Sequence, residues 1–119
     1  MEMKLTSKTD RVYTIERNDD GKVVCRVDSK QLSPRRDLWN HSPNGFECGY
    51  GGSGPAQLAL AILADCCGDE LAVQYHQAFK WSAIATLPHE GGTLTARFVL
   101  DELEKLKAER TARDQECGE

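Results

Sequence analysis

Two short runs near the start of the chain are dense in β-formers, Val12-Tyr13-Thr14-Ile15 and Val23-Val24-Cys25-Arg26-Val27. β-Branched and aromatic residues fit a pleated, half-buried surface, so both runs predict strands. Between them Asn18-Asp19-Asp20-Gly21 supplies an Asp-Gly step, whose glycine takes the positive φ of a tight turn, and the pair is expected as a hairpin. From residue 29 to 45 the pattern breaks into turn chemistry at Ser33-Pro34, Ser42-Pro43 and Asn44-Gly45. Leu32, Leu38 and Trp39 are the apolar anchors of that connection, which is therefore expected to pack down. A third short strand is expected over Gly45 to Tyr50, carrying Phe46.

The period then changes. Ala56-Gln57-Leu58-Ala59-Leu60-Ala61-Ile62-Leu63-Ala64 is apolar on nearly every face, the pattern of a helix buried on all sides. Ser53 is its expected N-cap, Pro55 suits its first turn, and Gly68 closes it. Asp69 or Glu70 opens a second helix with Leu71, Tyr75 and Phe79 as an apolar stripe at i, i+4 and i+8. Residues 81 to 87 fit helix or strand, and Pro88 stops whatever precedes it. His89 to Gly92 reads as a loop. Thr93 or Thr95 then caps a third helix, with Val99, Leu103 and Leu106 facing inward and Glu102, Lys105 and Lys107 facing solvent. The architecture these elements predict is α+β: a small antiparallel N-terminal sheet with about three helices on one face, the apolar helix central. Residues 1–119 form a single domain on this reading, with 1–10 and 111–119 expected to fray.

Composition narrows the function. A chain of 119 residues with 39% hydrophobic and 29% charged residues has enough apolar surface for one folded core and no room for two. The net charge of −4 lacks the basic coat that nucleic acid requires, so direct nucleic-acid binding is not expected. Lys30, Arg35 and Arg36 around Pro34 are a local exception. No apolar run approaches the roughly 18 residues of a membrane span, and the N-terminus has no apolar signal region, so a cytoplasmic protein is expected. Cys25, Cys48, Cys66, Cys67 and Cys117 are odd in number and irregular in spacing, which predicts free thiols rather than disulfides or a metal knuckle.

No complete catalytic constellation is present in the sequence. Ser53 with His76 or His89 would need a glycine where Pro55 stands, and the carboxylates Glu47, Asp65, Asp69 and Glu70 sit where charge at helix ends is ordinary. An enzyme, a metal and a cofactor are all unexpected. Gly49, Gly51 and Gly54 satisfy a Gly-x-Gly-x-x-Gly spacing without a βαβ context. That leaves two readings: a tight corner beneath a buried helix, or an anion-binding loop of Gly51, Gly52, Ser53, Gly54 and Ala56. His41 reads as a surface histidine and Lys80 as a snorkelling lysine. Trp39 and Trp81 are of the residue type that most often anchors interfaces.

Residues 46 to 63, Phe-Glu-Cys-Gly-Tyr-Gly-Gly-Ser-Gly-Pro-Ala-Gln-Leu-Ala-Leu-Ala-Ile-Leu, resemble a family of small uncharacterised domains encoded by bacteria, phages and other mobile elements. That family typically shows aromatic-acid-Trp-Gly-Tyr-Gly-Gly-Ser-Gly-Pro-x-Gln-Leu-Ala-Leu, then a Tyr-x-x-Phe-Lys helix. Here the second part is Tyr75-His76-Gln77-Ala78-Phe79-Lys80, one residue longer between the aromatics, and the resemblance extends over residues 11 to 105. Cys48 stands where tryptophan is usual. Short proteins of such origin are frequently accessory factors, inhibitors of host defence among them, so the resemblance implies a non-catalytic, anti-CRISPR-like binding protein that occupies the surface of a bacterial defence effector. Arg35, Arg36, Trp39, Glu47 and Tyr50 are the expected contacts, with the charged C-terminal helix as a second surface. The alternatives are a nucleotide or small-molecule domain using the glycine-rich loop, and a homodimer without a ligand.

Overall fold

The computed structural model describes residues 10–42 and 45–117, with side chains as far as 112. Of the ends expected to fray, 1–9 and 118–119 lie outside the described residues, as do Pro43 and Asn44 of the predicted turns.

The hairpin forms as the Asp-Gly step predicts. Strand β1 (Val12–Arg17) pairs antiparallel with β2 (Val23–Val27), in a register that sets Ile15 opposite Cys25. Gly21 takes φ +82°, and the Asn18 side chain accepts the N–H groups of Asp20 and Lys22 at 3.0 and 3.1 Å. The next strand differs from expectation. A two-residue turn at Asp28-Ser29, with φ +55° and +69°, sends the chain back as β3 (Lys30–Gln31) along β2. Neither residue is glycine, so the sequence gives no warning of a turn that needs positive φ at both positions. Residues 45 to 50 contribute one bridge, Phe46 to Val23, in place of the strand expected there.

Strand β4 (Gly91–Thr95) is the second correction, because Gly91 and Gly92 read as loop. It lies antiparallel on β1, Leu94 opposite Tyr13, giving the order β3-β2-β1-β4. The glycine is what permits the pairing: a Cβ on Gly91 would stand 2.1 Å from the Ile15 carbonyl oxygen.

Helix α1 (Ser53–Cys67) is buried from Gly54 to Ala64, as its uniform apolarity predicts. It packs against α2 (Asp69–Phe79) and α3 (Ala96–Cys117), and Asp65 ties it to β1 through Tyr13 Oη at 2.7 Å and Arg11 at 2.6 Å. Ser53 is not the N-cap: Gly52 holds that position, no side chain caps the helix, and Ser53 is exposed in its first turn. Gly68, at φ +101°, ends α1 by donating to Ala64 O and starts α2 by accepting from Ala72.

Helix α2 buries Ala72, His76 and Phe79, while the predicted Leu71 and Tyr75 are half-buried at its margins. One π turn follows over Lys80–Ile84, closed by the Ala85 N–H on Lys80 O at 2.8 Å, and Pro88 lies beyond it. Thr95 Oγ1 then accepts the Phe98 N–H at 3.1 Å and caps α3, which buries Val99, Leu103 and Leu106 as expected. Glu102 departs from expectation, its side chain only 12% exposed with Lys105 Nζ at 3.5 Å. The helix also continues past Arg110 to Cys117. The inward residues of the sheet (Tyr13, Ile15, Cys25, Val27, Leu94) and the helices share one core. No described helix is long and apolar enough to cross a membrane.

Candidate functional site

The π turn fixes the centre of the most unusual surface. A wider turn, with bonds from i to i+5, is rare and recurs at functional positions. Here it carries Lys80 and Trp81. The Trp81 ring is 60% exposed and lies against Gly51, where a Cβ would sit 2.1 Å from Cη2. Tyr50, 53% exposed, folds its ring over Gly52 in the same way, with Cε2 2.6 Å from the position of a Cβ. Lys80 Nζ rests 4.6 Å from the Trp81 ring centroid, a cation–π contact. Lys80 is 8% exposed; among the described residues its side chain makes no hydrogen bond or ion pair, and its Nζ keeps contact with solvent.

Two histidines adjoin it. His76 Nδ1 lies 3.0 Å from both Ala72 O and Val73 O, which can only accept, so Nδ1 carries the proton. In neutral His76, Nε2 is then an acceptor, and His41 Nε2 donates to it at 2.8 Å. Burial holds both imidazoles below their ordinary pKa, and the positive charge of Lys80 pushes in the same direction on each; His41 is lowered further by His76. Trp39, 49% exposed, stacks on His41 with centroids 5.0 Å apart and planes 11° from parallel. Trp39, His41, His76, Lys80, Trp81 and Tyr50 thus form one face, across the end of α2, the π turn and the glycine-rich corner.

The loop that brings Trp39 and His41 to this face is held from below by Gln57. Its Oε1 accepts the N–H groups of His41 and Ser42 at 2.7 and 3.0 Å, and its Nε2 donates to Pro34 O and Trp39 O at 2.6 and 2.9 Å. All four hydrogen-bonding positions of the amide are used. The sequence shows Gln57 as one polar residue in an apolar helix, which marks a buried polar partner but not its identity. Lys80 and the two histidines give no comparable signal.

The other predicted contacts fall elsewhere. Arg35 spends its guanidinium on Asp37 and Asp69, in four hydrogen bonds of 3.0 Å. Arg36 Nε reaches Ser42 O at 3.3 Å. Glu47 is joined to Arg17 at 2.8 and 3.2 Å, which holds its carboxyl below the usual range, and its stem fills the space over Gly54. The expected anion loop is therefore lined differently from an open cradle. Trp81, Tyr50 and Glu47 occupy the space beside Gly51, Gly52 and Gly54, Ala56 donates its N–H to Gly52 O, and Ser53 is exposed.

Residues 13–105 match the model of a family of unknown function, DUF6166. The chain belongs to the DUF6166 family. No curated protein and no solved structure matches it. The family match takes in every side chain of the aromatic face and runs from β1 into α3.

Outside that face, the DUF6166 chain holds a cleft of about 330 Å³ beside β2 and α1, lined by Arg11, Asp28, Lys30, Arg35 and Asp65 among others. Arg35 and Asp65 already have partners there, and Arg11 Nε is 3.8 Å from Asp28. Among the described residues no group of three His, Cys, Asp or Glu is placed to hold a metal ion. Burial pushes the Cys25 thiol up to about 12, and that of Cys48 upward as well, so neither is a nucleophile at neutral pH. Cys48, standing where the resemblance has tryptophan, is buried against the carbonyls of Pro88 and His89 and does not face outward. The DUF6166 face offers aromatic area, one cation and one exchangeable proton pair.

Proposed function

We propose that this DUF6166 domain is a non-catalytic binding protein whose contact surface is the face of Trp39, Tyr50 and Trp81. One observation carries the reading: three large aromatic side chains stay about half exposed or more, on a backing made rigid by Gln57 and the packed glycines. Single exposed apolar residues need no explanation, whereas large aromatics gathered on one face favour an interaction site. Tryptophan and tyrosine are enriched among residues that dominate binding energy, because they offer large rigid area at little entropic cost. The resemblance of residues 46 to 63 to small phage and mobile-element domains supports a bacterial defence complex as the partner, inhibited by occupation of its surface.

A pull-down with the tagged protein from host lysate, read by mass spectrometry, tests both halves. The expected result is stoichiometric retention of a defence effector by the wild type, lost on Trp81→Ala or Tyr50→Ala while circular dichroism stays unchanged. Retention by both variants would move the contact surface elsewhere. If purified defence effectors are neither bound nor inhibited, the partner assignment fails.

A further inference from the structure

Strand β4 stands at one end of the sheet order and has a neighbouring strand on one side only. Two bonds fix which of its groups face that neighbour. Arg17 N–H donates to Glu90 O at 3.2 Å and Ala96 N–H to Arg11 O at 2.9 Å, at either end of the register that sets Thr93 opposite Thr14. Bonded and non-bonded pairs alternate along an antiparallel ladder, so Gly92 and Leu94 are the residues that bond to Ile15 and Tyr13. In trans peptides the intervening groups point the other way, and Gly91 C=O, Thr93 N–H, Thr93 C=O and Thr95 N–H form a row along the open edge. Among the described residues nothing bonds to that row. The groups that would extend it are used within the chain: Gly91 N–H donates to Pro88 O at 3.0 Å, and Thr95 C=O, at the cap of α3, opens the helical ladder. Sheets ordinarily guard such an edge with charge, proline or a bulge, or keep it very short. The opposite edge, β3, has two residues; β4 runs over five, Gly91-Gly92-Thr93-Leu94-Thr95, without a charge or a proline.

We propose that this edge pairs with the same edge of a second copy of the chain, antiparallel about a two-fold axis at Thr93, so that two four-stranded sheets become one. The row is its own complement. Thr93 N–H of each copy meets Thr93 C=O of the other, and Thr95 N–H meets Gly91 C=O. A foreign strand fits less well, because opposite Gly91 and Thr95 it carries one carbonyl and one N–H with nothing to bond. In the second copy those two groups are the ones already satisfied by Pro88 and α3. The side chains agree. Leu94 is buried, so Thr93 and Thr95 stand on the outer face, and the row across the axis reads Thr14, Thr93, Thr93, Thr14 with no like charges opposed. Beyond the paired strands, Glu90 of one copy falls opposite Ala96 of the other, at the N-terminus of α3, where an acid is favoured and Arg97 is exposed. None of these bonds involves Trp39, Tyr50 or Trp81, so the inference stands apart from the binding face proposed above, and the dimer carries that face twice.

A few backbone bonds make a small contact, so the association is weak and is read over about a hundredfold range of concentration of the full chain. Sedimentation equilibrium is expected to show monomer passing to dimer. Amide exchange at Thr93 and Thr95 should slow as the dimer forms, while Gly92 and Leu94 stay unchanged. Thr93→Pro removes an N–H that β1 does not use, as edge prolines do, and should leave a folded monomer. Thr93→Lys sets two ammonium groups across the axis and should weaken association at least tenfold at low salt. Circular dichroism checks the fold of each, and if the proline variant does not fold, the lysine variant decides. Monomer at every concentration overturns the proposal. So does a dimer in which exchange at Thr93 and Thr95 ignores concentration, or one whose affinity neither variant changes. A dimer lost in Trp81→Ala and kept in the Thr93 variants runs through the aromatic face instead. Protection of Thr93 and Thr95 only in a complex recovered by the pull-down would replace the second copy with a strand of that partner.

Discussion

Gln57 shows how one side chain positions a surface it never reaches. It is buried in α1, yet its amide satisfies four backbone groups of the segment that carries Trp39 and His41. Gln57→Leu keeps the volume and strands those four groups, and unsatisfied buried groups cost about 1–3 kcal/mol each when water cannot replace the bond. We expect a loss of at least ~3 kcal/mol in urea unfolding, together with lost stacking of Trp39 on His41 in near-ultraviolet circular dichroism. The histidine pair gives a second prediction. Both imidazoles are depressed below their ordinary 6.5, so below that pH the unfolded chain binds more protons than the folded one. Stability is therefore full above about pH 7 and falls as pH drops through 6.5 toward the depressed values. Double protonation also sets two N–H groups against each other at His41 and His76. Urea midpoints from pH 7.5 to 5 should fall in the wild type and flatten in His76→Asn. Neither feature was legible beforehand, because the partners of Gln57, and His41 as the ring partner of His76, lie 15 to 35 positions away.

Among the elements, those with their own local chemistry were readable. The first hairpin followed from Asp20-Gly21, α1 from its uniform apolarity, and α3 from Val99, Leu103 and Leu106. Those that depend on a neighbour were not. β4 exists because Gly91 can approach β1, and the π turn reflects packing between α2 and the chain beyond it. The two kinds of glycine should respond differently to substitution. Gly91→Ala drives a methyl into the Ile15 carbonyl at φ +112° and is expected to cost more than ~3 kcal/mol, with hydrogen exchange accelerated along β1. Gly21→Ala, at φ +82° with nothing nearby, should cost only about 1 kcal/mol. Helix starts separate likewise. Thr95→Ala removes a cap bond and should cost about 1 kcal/mol, whereas Ser53→Ala removes none and should stay within about 0.5 kcal/mol. Chemical denaturation measures all four.

At the scale of the molecule, the sequence conveyed the fold class; Trp39 and Tyr50, expected from it as contacts, are about half exposed in the fold. It misjudged which charges are free: Arg35 and Glu47 look like surface contacts in a linear reading, and folding turns them into clamps between distant segments. Lys80 fits its reading as a snorkelling lysine, with its stem covered and its ammonium still in contact with solvent. Since Trp81 owes its place to a bare Gly51, Gly51→Ala should displace the ring and weaken partner binding roughly as far as Trp81→Ala, 30-fold or more for a residue worth ~2 kcal/mol. Calorimetric titration of the isolated partner would check this.

The position of β4 also sets a timetable for synthesis. The sheet ends on a strand supplied only after all of α1, α2 and the π turn have been made, so the hairpin leaves the ribosome with one long edge unpaired. At about 5–20 residues per second, that edge waits roughly 4–15 s for its partner. During that interval the nascent chain presents Tyr13 and Ile15 on an open strand, the kind of surface that recruits other strands. Slow elongation therefore lengthens exposure rather than helping this domain fold, and yield should improve when residues 18–90 are translated quickly.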